Sequence, residues 1–242
     1  MNTDSYSVTG LTNFGTITAG DQLVPRILAS LAESNLGPLT SGDIVVIASK
    51  VISIEESRRV SLAGIEPSLE AEKLALATGK DPRIVHLILA ESNSYRLATQ
   101  RGPIIALHKS GLELTSAGID KDGSEGAFLL PADPDASARR LLAELEAATA
   151  VPGLAVVIAD SDGRPHRHGS TVIAIGSAAI APLRETEVNE GTKIKRQQET
   201  LVDLIAAAAG VVLGQRGRGV PVAIVRGVTW LKSPLSVRDI LH

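Results

Sequence analysis

The sequence predicts a mixed α/β (α+β) fold, on three observations. Four short runs rich in Val, Ile and Ala read as strands. Amphipathic helical stretches alternate with them. The core has to be aliphatic, because the chain is 44% hydrophobic but only 2% aromatic. The apolar runs are continuous rather than alternating, the pattern of strands covered on both faces. A chain of 242 residues buries roughly 70–75% of the surface its unfolded form exposes, so it needs no disulfide or structural metal to hold a core.

Each element follows from local chemistry. Asp21–Glu33 brings Leu23, Ile27, Leu28 and Leu31 to near-helical spacing. Asp43–Ser49, opened by Gly42, is the first strong strand. Leu69–Ala77 and Asp81–Ala90 form a helical pair, the second with Pro82 in its first turn, where a missing N–H costs nothing. Pro103–His108 and Gly111–Thr115 read as weaker strands about a Lys109–Ser110 turn. Asp135–Ala148 opens on a cap-forming residue and lines up Leu141, Leu142 and Leu145. Leu154–Asp160 and Thr171–Gly176 are strands, Gln197–Leu213 is an Ala-rich helix stopped by Gly214, and Val220–Val225 is a last strand. Pro131–Pro134 is the expected hinge between two lobes.

Composition excludes several functions. A net charge of −3, from 24 Lys+Arg against 27 Asp+Glu, argues against a nucleic-acid binder that works by phosphate neutralisation. The five aromatics, Tyr6, Phe14, Tyr95, Phe128 and Trp230, are too scattered for a base-stacking platform. No apolar stretch approaches the roughly 20 residues of a spanning helix. Met1–Ser5 carries neither the basic nor the apolar region of a secretory signal. Without cysteine there is no thiolate metal site, Cys nucleophile or disulfide. The expectation is a cytoplasmic protein with no nucleic-acid or membrane partner.

Among motifs, the P-loop, the G-x-S-x-G elbow and H-E-x-x-H are absent. Gly214, Gly217 and Gly219 form a glycine-rich stretch, but it follows a helix and precedes a strand, the reverse of a dinucleotide fingerprint. His166 and His168 lie in a polar loop and read as solvated or phosphate-facing. Two acidic turns share D-x-D-G: Gly118–Glu125 around Asp120 and Asp122, and Asp160–Pro165 with Asp160 and Asp162. Asp and Gly favour turns on their own account. Two such turns equally fit a shared hard-cation site, since carboxylate oxygens suit Mg²⁺ or Mn²⁺. Asp160 ends an apolar strand, where α/β proteins place ligand groups. Lys50, Arg164, Arg167, Arg216 and Arg218 are the cations a nucleotide triphosphate would need, and each is also an ordinary solvated charge.

Short segments spread over nearly the whole chain carry a resemblance. They include Gly10-Leu11, Gly42–Val46, Thr78–Arg83, Ala117–Asp120, Leu129–Arg139, Asp160–Pro165, Leu213–Gln215 and Gly219–Gly227. In this order and spacing the chain resembles the coenzyme F420-0:L-glutamate ligase (F420 gamma-glutamyl ligase) family. The resemblance implies a two-lobed fold peculiar to that family, an intertwined homodimer, and residues 1–242 as one such unit without a nitroreductase-like extension. It implies a GTP-dependent ligase that activates the carboxylate of F420-0 as an acyl phosphate, which the amine of L-glutamate then displaces.

Roles carry over by position. The resemblance makes Asp120, Asp160, Ser161 and Gln215 ligands of Mg²⁺ or Mn²⁺, with Asp120 and Asp160 essential to catalysis and expected in loops at the site rim. It assigns the nucleotide to Leu11, Thr12, Asn13, Phe14, Ser49, Lys50, Gly123 and the loop Leu213, Gly214, Gln215, Arg216, Gly217, Arg218, Gly219 and Val220. The chain departs from the family at three places. Ile54 stands where the family has a nucleotide-contacting Lys, so that either GTP binds more weakly, or a nearby cation such as Lys50 or Arg58 fills in, or the ligand differs. Gly123 replaces an Asn. Asp162, with Asp122, makes the site more acidic. These departures leave open an amide ligase acting on another carboxylate and a non-catalytic nucleotide- or F420-binding protein.

Overall fold

The structure, a computed structural model, describes residues 3–165, 167–190, 193–213 and 219–242. From the N-terminus the chain forms β1 (Ser7–Leu11), α1 (Leu23–Ala32), β2 (Ile44–Ala48), α2 (Ser49–Glu55) and β3 (Arg59–Ser61). A helical pair follows, α3 (Leu69–Thr78) and α4 (Pro82–Ala90), then β4 (Ser92–Leu97), β5 (Ile104–His108) and β6 (Glu113–Thr115). Two short strands, β7 (Asp120–Asp122) and β8 (Gly126–Phe128), precede the long α5 (Pro134–Thr149). The order ends with β9 (Ala155–Gly163), β10 (Ser170–Ala178), β11 (Leu183–Glu190), β12 (Lys193–Thr200), α6 (Leu201–Leu213) and β13 (Val222–Arg226).

The main sheet has the order β1-β13-β2-β9-β10. Within it β2 and β9 run parallel and the other pairs antiparallel. Ile44–Ile47 of β2 and Ala155–Ile158 of β9 are fully buried, so the continuous apolar runs do mark central, two-sided strands. Leu141 and Leu145 of α5 and Val202, Ala206 and Ala209 of α6 close over the sheet. A second cluster of buried residues, among them Leu62, Leu74, Val85, Ile88 and Ile104, is built by α3, α4 and the small sheets β3-β8-β7 and β4-β5-β6.

Three expectations change. Gln197–Thr200 is extended as the end of β12, and α6 begins only at Leu201. Its partner β11 makes this an exposed two-stranded ribbon, invisible to hydropathy because Leu183–Thr200 is polar and charged. The cap of α5 is Asp133, whose side chain accepts from Ala136 N–H. Asp135 is instead buried and accepts from the backbone N–H groups of Ser177 at 2.8 Å, Val237 at 3.3 Å and Arg238 at 3.2 Å.

Candidate active site

One edge of the main sheet gathers the functional residues. Because β2 and β9 run parallel with Ala48 opposite Ala159, the next residue on each, Ser49 and Asp160, emerges at the same end. The Ser49 hydroxyl donates to Asp160 Oδ1 at 2.5 Å. Leu11 ends β1 at this edge, paired with Val222 of β13, so the segment after β1 and the entry to β13 lie beside them. Thr12 and Asn13 are exposed, whereas the side chains of Leu11 and Phe14 belong to the core and leave only their backbone to a ligand.

Neither aspartate sits in a loop. Asp160 lies inside β9, which continues through the whole D-x-D-G motif to Gly163, and Asp120 opens β7. Burial pushes the Asp160 carboxyl up to about 7. The Ser49 hydroxyl and the Ser161 backbone N–H oppose that shift by hydrogen bonding to the ionised form, while the Asp120 and Asp162 charges add to it. Asp120 and Asp160 come from different sheets, and they lie near enough for the Asp120 charge to act on Asp160. Lys50, on the first turn of α2, stands 3.8 Å from Asp120 and lies over the Phe128 ring, 5.2 Å from its centre.

Two expected acids are already committed. Asp162 is buried and accepts from Thr115 N–H at 2.7 Å, bracing β9 against the segment that leads to Asp120. Gly163 beside it has no side chain to meet the Thr115 hydroxyl, which would lie 2.8 Å from a Cβ. Asp122 accepts from Arg59 Nε at 2.7 Å. Arg59 thus neutralises Asp122, whereas Asp162 is held by a neutral donor and its charge still acts on Asp160. Arg58 cannot stand in for the missing lysine, because it donates to Leu130 O at 2.8 Å and pairs with Glu91 at 3.5 Å. Ile54 is half-buried on α2, and among the described residues Lys50 is the cation paired with Asp120.

Ser161 is exposed, and strand alternation turns its hydroxyl away from the Asp160 face, leaving its peptide as the nearer group. Gly123 occupies the left-handed region, φ 63°, at the exposed β7–β8 turn. Leu213 is buried at the end of α6, Gly219 is exposed and Val220 half-buried. Gly214, Gln215, Arg216, Gly217 and Arg218, expected at the nucleotide, and His166 lie outside the described residues. Two features escaped the sequence reading. Ser49 serves Asp160 directly, and Arg59 joins the Lys50 face, both through strand pairing.

Comparison with known proteins now decides the family. Residues 12–227 match the family model of F420-0:Gamma-glutamyl ligase. The chain belongs to that ligase family. A coenzyme F420:L-glutamate ligase of Methanothermobacter thermautotrophicus is 36% identical over 98% of this chain and 95% of that protein. One of Methanopyrus kandleri is 38% identical over 86% of this chain and 82% of that protein, and one of Methanocaldococcus jannaschii 37% over 78% and 77%.

The residues of this site can be matched to a divalent cation. The observation that bears on it is the half-buried carboxyl of Asp160, raised by burial, with the Asp120 carboxylate near enough to add to that shift. That is a pair of oxygen donors, that of Asp120 already offset in part by Lys50, and such donors suit a hard cation that keeps its other positions for water and substrate phosphate. Among the described residues no group of three His, Cys, Asp or Glu side chains comes together, so the pair would be supplemented by backbone or non-acidic oxygens. No described helix is long and apolar enough to cross a membrane.

Proposed function

We propose that this protein is a GTP- and divalent-metal-dependent ligase that adds L-glutamate to coenzyme F420-0 through an acyl phosphate. The carrying observation is that Asp120, from the β3-β8-β7 sheet, comes near Asp160 at the end of the β2–β9 pair, with Lys50 beside Asp120. Asp120 and Asp160 would hold Mg²⁺ or Mn²⁺, with the Ser161 carbonyl and Gln215 as further oxygen donors, and the cation supplies charge neutralisation for phosphates.

In the first half-reaction a carboxylate oxygen of F420-0 attacks the γ-phosphorus of GTP, and GDP leaves. In the second, the amine of glutamate attacks the acyl carbon, inorganic phosphate leaves and the amine gives up a proton. Lys50 is placed to neutralise phosphate charge, and Ser49 fixes the Asp160 carboxyl in one orientation. The remaining work is positioning, for which the rigid β2–β9 pair provides the platform. The segments Leu11–Phe14 and Leu213–Val220 would line the nucleotide, as the family resemblance implies.

The protein is further proposed to work as a cytoplasmic homodimer. The β11–β12 ribbon leans on α6 but is otherwise exposed along β12, and an isolated two-stranded ribbon is marginal in water. A second copy of the chain is the partner proposed to cover it.

The test is turnover of F420-0, glutamate and GTP with Mn²⁺, read as phosphate release and a glutamylated product by mass. Asp120→Asn and Asp160→Asn should each abolish product while the protein keeps its fold by circular dichroism. Near-normal product from either variant would refute the shared-cation site.

A further inference from the structure

We propose that Arg59 is a substrate-anchoring residue of this site, gripping an oxyanion of a bound substrate, either a phosphate or a carboxylate; this deepens, and rests on, the ligase reading above. Arg59 and Asp120 are both paired with Phe128 across the β3-β8-β7 sheet, so the three side chains share one face. Two strand spacings place Arg59 about 10 Å from Asp120. Lys50 sits above Phe128 between them. The face therefore runs from the carboxylate, through one cation, to a second.

Arg59 is poised rather than spent. Its Nε donates to Asp122 at 2.7 Å, and among the described residues its two terminal nitrogens have no partner. The guanidinium lies down over β8, because Gly126 leaves the room. A Cβ there would sit 2.4 Å from one terminal nitrogen and 2.8 Å from Cζ. An ordinary exposed ion pair needs no such recess. Asp122 fixes one edge of the fork, and the free edge matches the two oxygens of a carboxylate or phosphate. With 48% of its side chain exposed, the group is open to an incoming ligand.

Three variants test this. Arg59→Ala removes the fork, Arg59→Lys keeps charge without the fork, and Gly126→Ala displaces the guanidinium while keeping it in the chain. Equilibrium titration calorimetry with GTP–Mn²⁺, with glutamate and with F420-0 is run beside KM and kcat for each. The expected result is a loss of affinity of about tenfold or more for one of these anions in Arg59→Ala and Gly126→Ala. Arg59→Lys should show a smaller loss, and kcat and melting temperature should stay near wild type. A shift confined to GTP identifies a phosphate, and one confined to glutamate or F420-0 identifies that substrate's own anion. Unchanged affinities, a melting-temperature drop alone, or a wild type that binds none of the three overturns the proposal. Failure of the ligase reading is separate: wild type would then form no amide product, whereas calorimetry would still report on Arg59.

Discussion

Replacing Ser49 by Ala measures how much cation affinity the protein builds in before any ligand arrives. The Ser49 hydroxyl is a 2.5 Å donor to Asp160 Oδ1. A hydrogen bond to a charged acceptor contributes about 1.5–3 kcal/mol, which corresponds to roughly ten- to a hundredfold in an equilibrium. Without it, burial and the Asp120 charge act on Asp160 with one opposing donor fewer, so its carboxyl holds a proton to still higher pH. Cation binding must then displace that proton and also reorient the carboxyl. Mn²⁺ affinity at pH 7, by calorimetry on the metal-free protein, should fall by about ten- to a hundredfold. Part of the loss should return at pH 8.5, where the proton competes less. Ser49→Thr, which keeps the hydroxyl, should retain most of the affinity. A Ser49→Ala protein that is folded and binds Mn²⁺ within threefold of wild type at both pH values would refute the reasoning.

Other expectations are independent of the cation. Burial lowers the His108 pKa below its ordinary 6.5, against the raising effect of Glu91. The folded state therefore prefers the neutral ring, and the unfolded chain takes up the proton first. Stability is full above about pH 6.5 and declines as pH falls from there toward the folded value, by at most about 1.4 kcal/mol per pH unit from this group. His108→Gln should flatten that slope in urea titrations at pH 7 and pH 5.5. Asp43, 1% exposed, takes Arg226 Nε at 2.8 Å and a terminal nitrogen at 2.7 Å. Asp43→Ala should cost about 3–5 kcal/mol by urea denaturation, since it strands the arginine partly buried. Deleting the β11–β12 ribbon should convert a dimer, whose melting temperature rises with protein concentration, into a species whose melting does not depend on it, as read by light scattering and calorimetry.

What the sequence discloses here depends on whether the determining contact is local. Ile44–Ile47 and Ala155–Ile158 were legible because an uninterrupted β-branched run has few other destinations. Asp160 was legible as the polar end of such a run. The helix boundary at Leu201 was not, because Ala-rich α6 continues backwards into residues whose strand identity comes only from pairing with β11. Short β7 and β8 are held by a ladder to β3, about 70 residues away in sequence at its far end. The same holds inside the site: Ser49 meets Asp160 across a separation of 111 residues, which only the β2–β9 pairing reveals. Of the extra acids, Asp122 is neutralised by Arg59, a pairing that only the strand ladder reveals, while Asp162 is tied down by the Thr115 N–H and keeps its charge.

The Asp162–Thr115 contact has a consequence for how the two carboxylates are spaced. Asp160 and Asp162 are two steps apart on β9, and Thr115 lies five residues ahead of Asp120. A single strand thus carries one half of the pair itself and anchors the approach to the other half by a main-chain strut. The backbones behind the two carboxylates are linked by a buried hydrogen bond as well as by the chain, like a brace between two posts. A cation shared by the two, as proposed above, would meet carboxylates whose main chains cannot part without breaking that strut.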